Sequence, residues 1–169
     1  MLIVQIKKTG FLLGFLFLAA GFSSLQAQEA PPKLQAALFM KLLGFYTNLG
    51  SGDFTIHVVG SPGVASELKG NIGKKIGKAK LSAVSEGEGP PTNGAKVIYV
   101  GKSVKAITDY SQANKVLTIT GLPKFVNEGV TLGVTIEAGK PKILLNLSAT
   151  KAEDVNWNPA ILKVASTVD

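Results

Sequence analysis

The chain has 169 residues, no cysteine, no arginine, 18 lysines and a formal net charge of +7. Without cysteine there can be no disulfide and no lipid-modified cysteine, so disulfide-stabilised folds and lipoproteins are excluded. Arginine is the residue suited to bidentate recognition of phosphate and carboxylate, and because it is absent the positive charge indicates a general surface property.

The first 27 residues have the order of a secretory signal peptide. Lys7 and Lys8 precede an apolar run over 11–22, and a segment ending in the small residue Ala27 follows. The apolar run is shorter than the roughly 20 residues of a membrane span. We therefore expect cleavage after Ala27 and export to the periplasm or beyond, without stable membrane insertion afterwards; an uncleaved anchor is the alternative. The exported part, 28–169, has 16 lysines minus 11 acids, or +5, and fits one domain.

In the first half of this part, apolar residues at three- and four-residue spacing predict an amphipathic helix over 33–48, ended by a glycine-rich segment. A strand over 54–59 follows, then a helix over 63–69 and a strand near 80–85. The segment 86–94 is predicted to be a polar loop containing two prolines.

Three further elements lie in the middle of the chain. Val97–Val100 is apolar at every position, which is typical of a central strand covered by helices on both sides. A helix over 103–112 separates it from a strand over 116–120.

The last third predicts a hairpin and a terminal helix. Alternating apolar residues over 130–136 and 143–147, joined by a segment with glycine and proline, indicate two antiparallel strands. Asn158-Pro159 is a helix-start signal, and a helical apolar face follows, consisting of Ile161, Leu162, Val164 and Ala165. Strands that alternate with helices before a closing hairpin predict a three-layer α/β domain with a mostly parallel sheet and an antiparallel edge.

The order of these segments resembles the YfiR-like family of secreted bacterial proteins. The resemblance covers nearly the whole exported part and is strongest in VLTITGLPKFVNEGVTLGVTIEAGKPKILLNLSA and NPAILKVAS. It includes a strand ending in Thr120, a turn containing Phe125, a glycine-flanked strand over 129–136 and an aliphatic strand ending in Asn146.

The resemblance implies a periplasmic regulator. The best-known member represses a membrane-bound diguanylate cyclase by binding its periplasmic part, which connects envelope signals to cyclic di-GMP and biofilm formation. The implied partner is therefore a membrane sensor, either a diguanylate cyclase or a histidine kinase. This chain departs from the family at three places: it lacks the cysteines that form disulfides, Tyr46-Thr47-Asn48 replaces an aromatic–proline ending, and Glu128-Gly129 replaces paired glycines.

Catalytic and cofactor sites are not predicted. His57 is the only histidine, and neither a metal-ligand spacing nor a nucleophile with an orienting acid accompanies it. We expect it to be a hydrogen-bonded histidine on the less apolar face of its strand. Gly101-Lys102-Ser103 lies where phosphate loops occur, but the full motif needs glycine at Lys96, so we expect a tight turn with Ser103 as a helix cap.

Several side chains are candidates for binding a protein partner. The densest lysine cluster consists of Lys69, Lys74, Lys75, Lys78 and Lys80, and its last four members follow a Gly-Asn-Ile-Gly turn. Export and the lack of stacking aromatic residues argue against nucleic acid there. Trp157, the sole tryptophan, lies either in the core under the final helix or in an interface. Asn146 is a further candidate, although we expect it to hydrogen-bond nearby backbone. Glu153 and Asp154 are expected to stabilise the start of the final helix by its dipole.

These observations favour a non-enzymatic binding protein. One hypothesis is a regulator that docks on a membrane sensor through an exposed patch on the first helix or the hairpin edge. The other is an envelope protein that binds a small ligand in the crevice at the carboxyl ends of the parallel strands, with Ser61 and Ser103 as candidate contacts. A homodimer is left open, and a hydrolase would need a nucleophile–base pair that the sequence does not reveal.

Overall fold

The computed structural model describes residues 28–169, and the predicted signal peptide lies outside the described residues. The strands are β1 (Gln28–Glu29), β2 (Ser51–Val59), β3 (Lys75–Ile76), β4 (Lys78–Gly87), β5 (Val97–Val100), β6 (Leu117–Thr120), β7 (Leu132–Glu137), β8 (Lys140–Asn146) and β9 (Ser166–Val168). The α-helices are α1 (Pro32–Leu42), α2 (Pro62–Lys69), α3 (Val104–Asn114), α4 (Pro123–Asn127) and α5 (Leu147–Ala152). Short 3-10 helices span Leu43–Phe45, Thr47–Leu49 and Pro159–Lys163.

The strands form one mixed sheet in the order β3-β4-β2-β5-β6-β7-β8-β9, and β1 pairs with β7. The run from β4 to β7 is parallel, and β9 is parallel to β8. Three pairs are antiparallel: β3 with β4, β7 with β8, and β1 with β7. The predicted α/β class with a mostly parallel sheet and an antiparallel pair near the C-terminus is confirmed. The outermost strand at that end is β9, which lies beyond the pair.

Helices cover both faces of the sheet. On one face, Phe39 of α1 and Leu68 of α2 pack with β-strand residues such as Tyr99. On the other, Ile107 of α3 packs with Ile98. All four residues of β5 are buried, as predicted for a central strand. The three layers follow from this burial on both sides.

The hairpin of β7 and β8 turns at Ala138-Gly139. Both residues have left-handed φ angles, 50° and 74°, which a two-residue type I′ turn requires and which match the twist of the strands. Leu132 lies opposite Leu145 and Val134 opposite Ile143 in the register. The predicted hairpin is present, with a tighter connection than the sequence suggested.

Two predicted helices differ from the structure. The helix expected over 33–48 is α-helical only to Leu42 and continues as two short 3-10 helices. The predicted final helix is present only as a short 3-10 helix. It begins after Asn158, whose Oδ1 accepts a hydrogen bond from the Ala160 N–H at 2.9 Å, and the chain then enters β9. Of the expected apolar face, Ile161 is buried and Ala165 packs against the core, whereas Leu162 and Val164 are 55% and 49% exposed. The β-branched residues Thr167 and Val168 favour the extended strand that follows.

A short helix, α5, follows β8 directly and was not predicted. The Asn146 side chain caps it, because its Oδ1 accepts from the Ala149 N–H at 2.7 Å. The alternation of apolar residues had placed Leu147 in the second hairpin strand. In the structure it is the first residue of α5. Across residues 28–169, no helix has the length and apolar character needed to cross a membrane.

Candidate functional site

The carboxyl ends of β2, β5 and β6 meet at one edge of the sheet, as parallel strands dictate. A cleft of about 410 Å³ lies on the β2 and β4 side of this edge. Ser61 lines it together with Gly60, Glu86, Glu88 and Lys102, and Lys102 forms an ion pair with Glu88. A cleft is therefore present beside Ser61, and ligand binding in it stays a prediction.

Ser103 is not among the residues that line this cleft, and it occupies the N-cap position of α3 without the side-chain cap that was expected. It precedes α3 with a left-handed φ of 55°, and its hydroxyl makes no capping hydrogen bond.

Glycine at position 101, two residues before Ser103, is explained by close backbone packing. The Gly101 N–H donates to the Val59 carbonyl at 2.8 Å, and a Cβ at Gly101 would lie 2.6 Å from that same oxygen. The glycine is needed for this backbone approach.

A buried polar network fills the rest of the edge. The Tyr99 hydroxyl donates to Gln35 Oε1 at 2.8 Å and accepts from the Gly121 N–H at 3.2 Å. Gln35 Nε2 in turn donates to the Ala30 carbonyl at 2.6 Å. Burial raises the pKa of Tyr99 to about 12, so the phenol is neutral at physiological pH. These polar atoms are paired with one another, and Tyr99 and Gln35 do not line the cleft beside Ser61.

The cleft described above lies at the N-terminal end of α2. The predicted lysine cluster lies at the C-terminal end of this helix and at the β3 edge of the sheet. Lys74, Lys75 and Lys78 are exposed. Two other members of the cluster are neutralised, since Lys69 pairs with Glu86 and Lys80 with Asp53. The exposed three remain candidates for binding a partner.

The other two partner candidates lie near the C-terminus. Asn146 is buried, and its Nδ2 donates to the Val126 carbonyl at 2.7 Å, so its side chain bonds nearby backbone as expected. Trp157 is half-buried, with its ring centroid 5.7 Å from that of Tyr46. It therefore combines the two predicted alternatives, a core contact on one side and an exposed part on the other. Partner binding by either residue stays a prediction.

His57 is buried and fully hydrogen-bonded, as expected. Its Nε2 lies 3.0 Å from the Gly89 carbonyl, so this nitrogen carries a proton and donates. Its Nδ1 is 2.8 Å from the hydroxyl of Ser85, a nucleophile–base distance that the sequence did not reveal. A carbonyl oxygen, and not a carboxylate, orients the imidazole. The contacts join β2 to β4 and to the loop after it. Within 28–169, no cluster of three or more metal-ligating side chains is present.

Glu153 is the group that sequence reasoning misjudged most. It is fully buried at the end of α5 and does not start a final helix. Its Oε1 accepts from the hydroxyls of Ser111 and Thr118 at 2.8 and 2.6 Å. Its Oε2 accepts from the Thr118 N–H at 3.0 Å and the Thr131 hydroxyl at 2.6 Å. The carboxyl group thus joins α3, β6 and the start of β7.

Burial raises the pKa of Glu153 above its ordinary value of 4.5, although the hydrogen bonds from Thr118, Thr131 and Ser111 oppose the shift. Both protonation states find partners. When Oε1 is protonated it can donate to Ser111, whose hydroxyl then donates to the Thr108 carbonyl 3.0 Å away.

This shift predicts a pH dependence of stability. Above pH 4.5 the unfolded chain loses the Glu153 proton while the folded chain still holds it, so the free energy of unfolding decreases as the pH rises to the folded pKa and is level above it. Glu153→Gln should remove this slope. Urea unfolding measured across pH on both proteins checks it, and parallel profiles would contradict it.

The architecture defines a three-layer α/β protein with an antiparallel strand pair near its C-terminus. The chain belongs to the YfiR/HmsC-like family, because the family's model matches residues 32–166. The suspected resemblance is therefore confirmed.

Solved structures share the fold at low identity. One is a conserved domain protein from Vibrio cholerae O1 biovar El Tor, with a TM-score of 0.57 and 12% identity. Another is the ABC domain in complex with L-Trp from Streptococcus pneumoniae, with a TM-score of 0.52 and 12% identity. They cover 84% and 82% of this chain, and the chain spans 61% and 60% of theirs. No curated protein matches the sequence significantly.

Proposed function

We propose that the chain is a non-enzymatic regulator that controls a membrane-bound sensor, such as a diguanylate cyclase, by docking on the sensor's extracytoplasmic part. Membership in the YfiR/HmsC-like family across residues 32–166 is the observation that carries this proposal. The hydrogen bonding of His57, the sole histidine, supports a structural use of that residue.

The test is deletion of the gene in its host, with complementation by the full chain. We expect deletion to raise cyclic di-GMP severalfold, and in-cell cross-linking of the complementing protein to recover one membrane-bound sensor. Unchanged cyclic di-GMP together with no cross-linked sensor would refute the proposal. If a histidine kinase is recovered in place of a cyclase, docking on a membrane sensor is supported, and the regulated activity is that of the kinase.

A second candidate, an envelope protein that binds a small ligand, is favoured by one observation. The cleft beside Ser61 is concave, measures about 410 Å³, and carries both charges of the Lys102–Glu88 pair on its wall. A neighbouring fold from Streptococcus pneumoniae is described in complex with L-Trp, at an identity that bears on the fold alone. Recovery of a small molecule with the purified protein, and of no sensor, would favour this candidate.

A further inference from the structure

A concave surface lies between α1, α2 and β3, and we call it the lysine groove. It has a volume of about 480 Å³. Its floor is apolar, with the buried Ala36 and the half-buried Met40 and Ile76. Its rim carries four exposed lysines, namely Lys33, Lys41, Lys74 and Lys75.

The sequence builds this groove from two elements. On α1, Lys33, Ala37 and Lys41 are four residues apart and share one helical face. The small side chain of Ala37 leaves open space between the two lysines. On the opposite wall, Lys74 and Lys75 are held by backbone hydrogen bonds to β4: the Gly73 N–H donates to the Leu81 carbonyl at 2.8 Å, and the Leu81 N–H to Lys74 at 3.0 Å.

The positive charge of the rim is not neutralised by the fold. Five other lysines of residues 28–169 form ion pairs with carboxylates, whereas the four rim lysines form none there. Lys74 donates to the Asn71 amide oxygen at 2.8 Å. Glu67 is the one acid among the lining residues, so the groove has four positive charges against one negative charge.

Shape decides between a peptide and a membrane as the occupant. Met40 and Ile76 are half-buried whereas the four rim lysines are exposed, so a flat bilayer that meets the lysine tips has little access to this apolar floor. A narrow segment with one apolar edge reaches both the floor and the rim. Lys33 and Lys41 are eight residues apart on α1, or about 12 Å, which matches about two turns of a helical ligand.

We propose that the lysine groove binds an acidic amphipathic peptide segment, with its apolar side chains on the floor and its carboxylates against the rim lysines. The inference deepens the proposed function and rests on it, because it gives the chemistry of the sensor segment that the protein contacts. Lysine clusters and apolar floors together give both long-range attraction and buried contact area.

The test uses the exported protein purified from its host and a fluorescein-labelled peptide of about 12 residues, or about three helical turns, with leucines on one helical face and glutamates elsewhere. A peptide with glutamine in place of glutamate is the uncharged probe, and vesicles of equal parts phosphatidylcholine and phosphatidylglycerol are the membrane probe. The variant is Lys74→Glu with Lys75→Glu. The matched control is Lys140→Glu with Lys163→Glu. It makes the same charge change at exposed positions near the edge of the sheet opposite to β3.

We expect fluorescence anisotropy to show that the wild-type protein binds the acidic peptide and that added salt weakens this binding. The affinity should be at least about tenfold lower in the groove variant and nearly unchanged in the control variant. The glutamine peptide should bind far more weakly. No binding of the acidic peptide up to about millimolar concentration, equal loss in both variants, or binding to the vesicles alone would each overturn the proposal.

The sensor experiment separates this inference from the proposed function. If the wild-type chain cross-links to a sensor and the groove variant does so equally well, the groove is not the contact surface while the regulator function stands. If the wild-type chain recovers no sensor and cyclic di-GMP is unchanged on deletion, the proposed function fails, whatever the peptide does.

Discussion

Glu153→Ala should lower the free energy of unfolding by about 3 to 5 kcal/mol, since each buried donor left without an acceptor costs about 1 to 3 kcal/mol. The substitution removes the acceptor of the Thr118 N–H and of the Thr118 and Thr131 hydroxyls, all of which are buried. Urea unfolding followed by the fluorescence of Trp157, the sole tryptophan, measures the effect.

Glu153→Gln is the matched control, because it keeps the shape and one acceptor oxygen. We expect it to cost less than half as much as the alanine variant. A decrease in the free energy of unfolding of less than about 1 kcal/mol in Glu153→Ala would be no more than the contribution of one ordinary hydrogen bond. That result would show that the carboxyl group does not hold α3, β6 and β7 together.

Gly101→Ala should destabilise the protein by about 2 to 3 kcal/mol, because overpacking against atoms that cannot move aside costs of this order. The new Cβ would lie 2.6 Å from the Val59 carbonyl oxygen and 2.9 Å from that of Gly60, and both are backbone atoms. The change in urea midpoint checks this prediction.

Gly44→Ala provides the comparison for this substitution. A Cβ at Gly44 meets nothing within 4 Å, so its effect should stay within about 0.5 kcal/mol. Similar costs at Gly44 and Gly101 would show that the close backbone approach is not what requires glycine at the end of β5.

The sequence predicted the elements whose signal is local. The continuous apolar run of β5 and the alternation in β7 and β8 identify strands, because the polarity of adjacent residues shows whether one or both faces of a strand are buried. Asn158 likewise marked the start of a turn of helix correctly. The extent of that helix was wrong because Leu162 and Val164 are exposed, so Ile161 is the only fully buried member of the predicted apolar face, and one buried side chain does not hold a longer helix against the core.

The polar sites depended on distant residues, and for that reason sequence spacing did not reveal them. Glu153 meets Ser111 across 42 positions and Thr131 across 22, and no periodicity links these residues. The contact of His57 with Ser85 spans 28 positions in the same way. Among the partner candidates, the sequence found Lys74 and Lys75 by their density but not Lys33 and Lys41, because the fold alone brings α1 to β3.

The start and the end of the described chain meet in two places. Tyr46 forms a β-bridge with Trp157, and the neighbouring Thr47 bonds Asn156 across 109 positions. Gln28 of β1 is bonded by Thr135 across 107. Each of these contacts joins residues more than 100 positions apart, so the N-terminal segment cannot complete its packing until its distant partners have been synthesised. Contacts between such distant residues predict slow folding in which the N-terminal segment is fixed late.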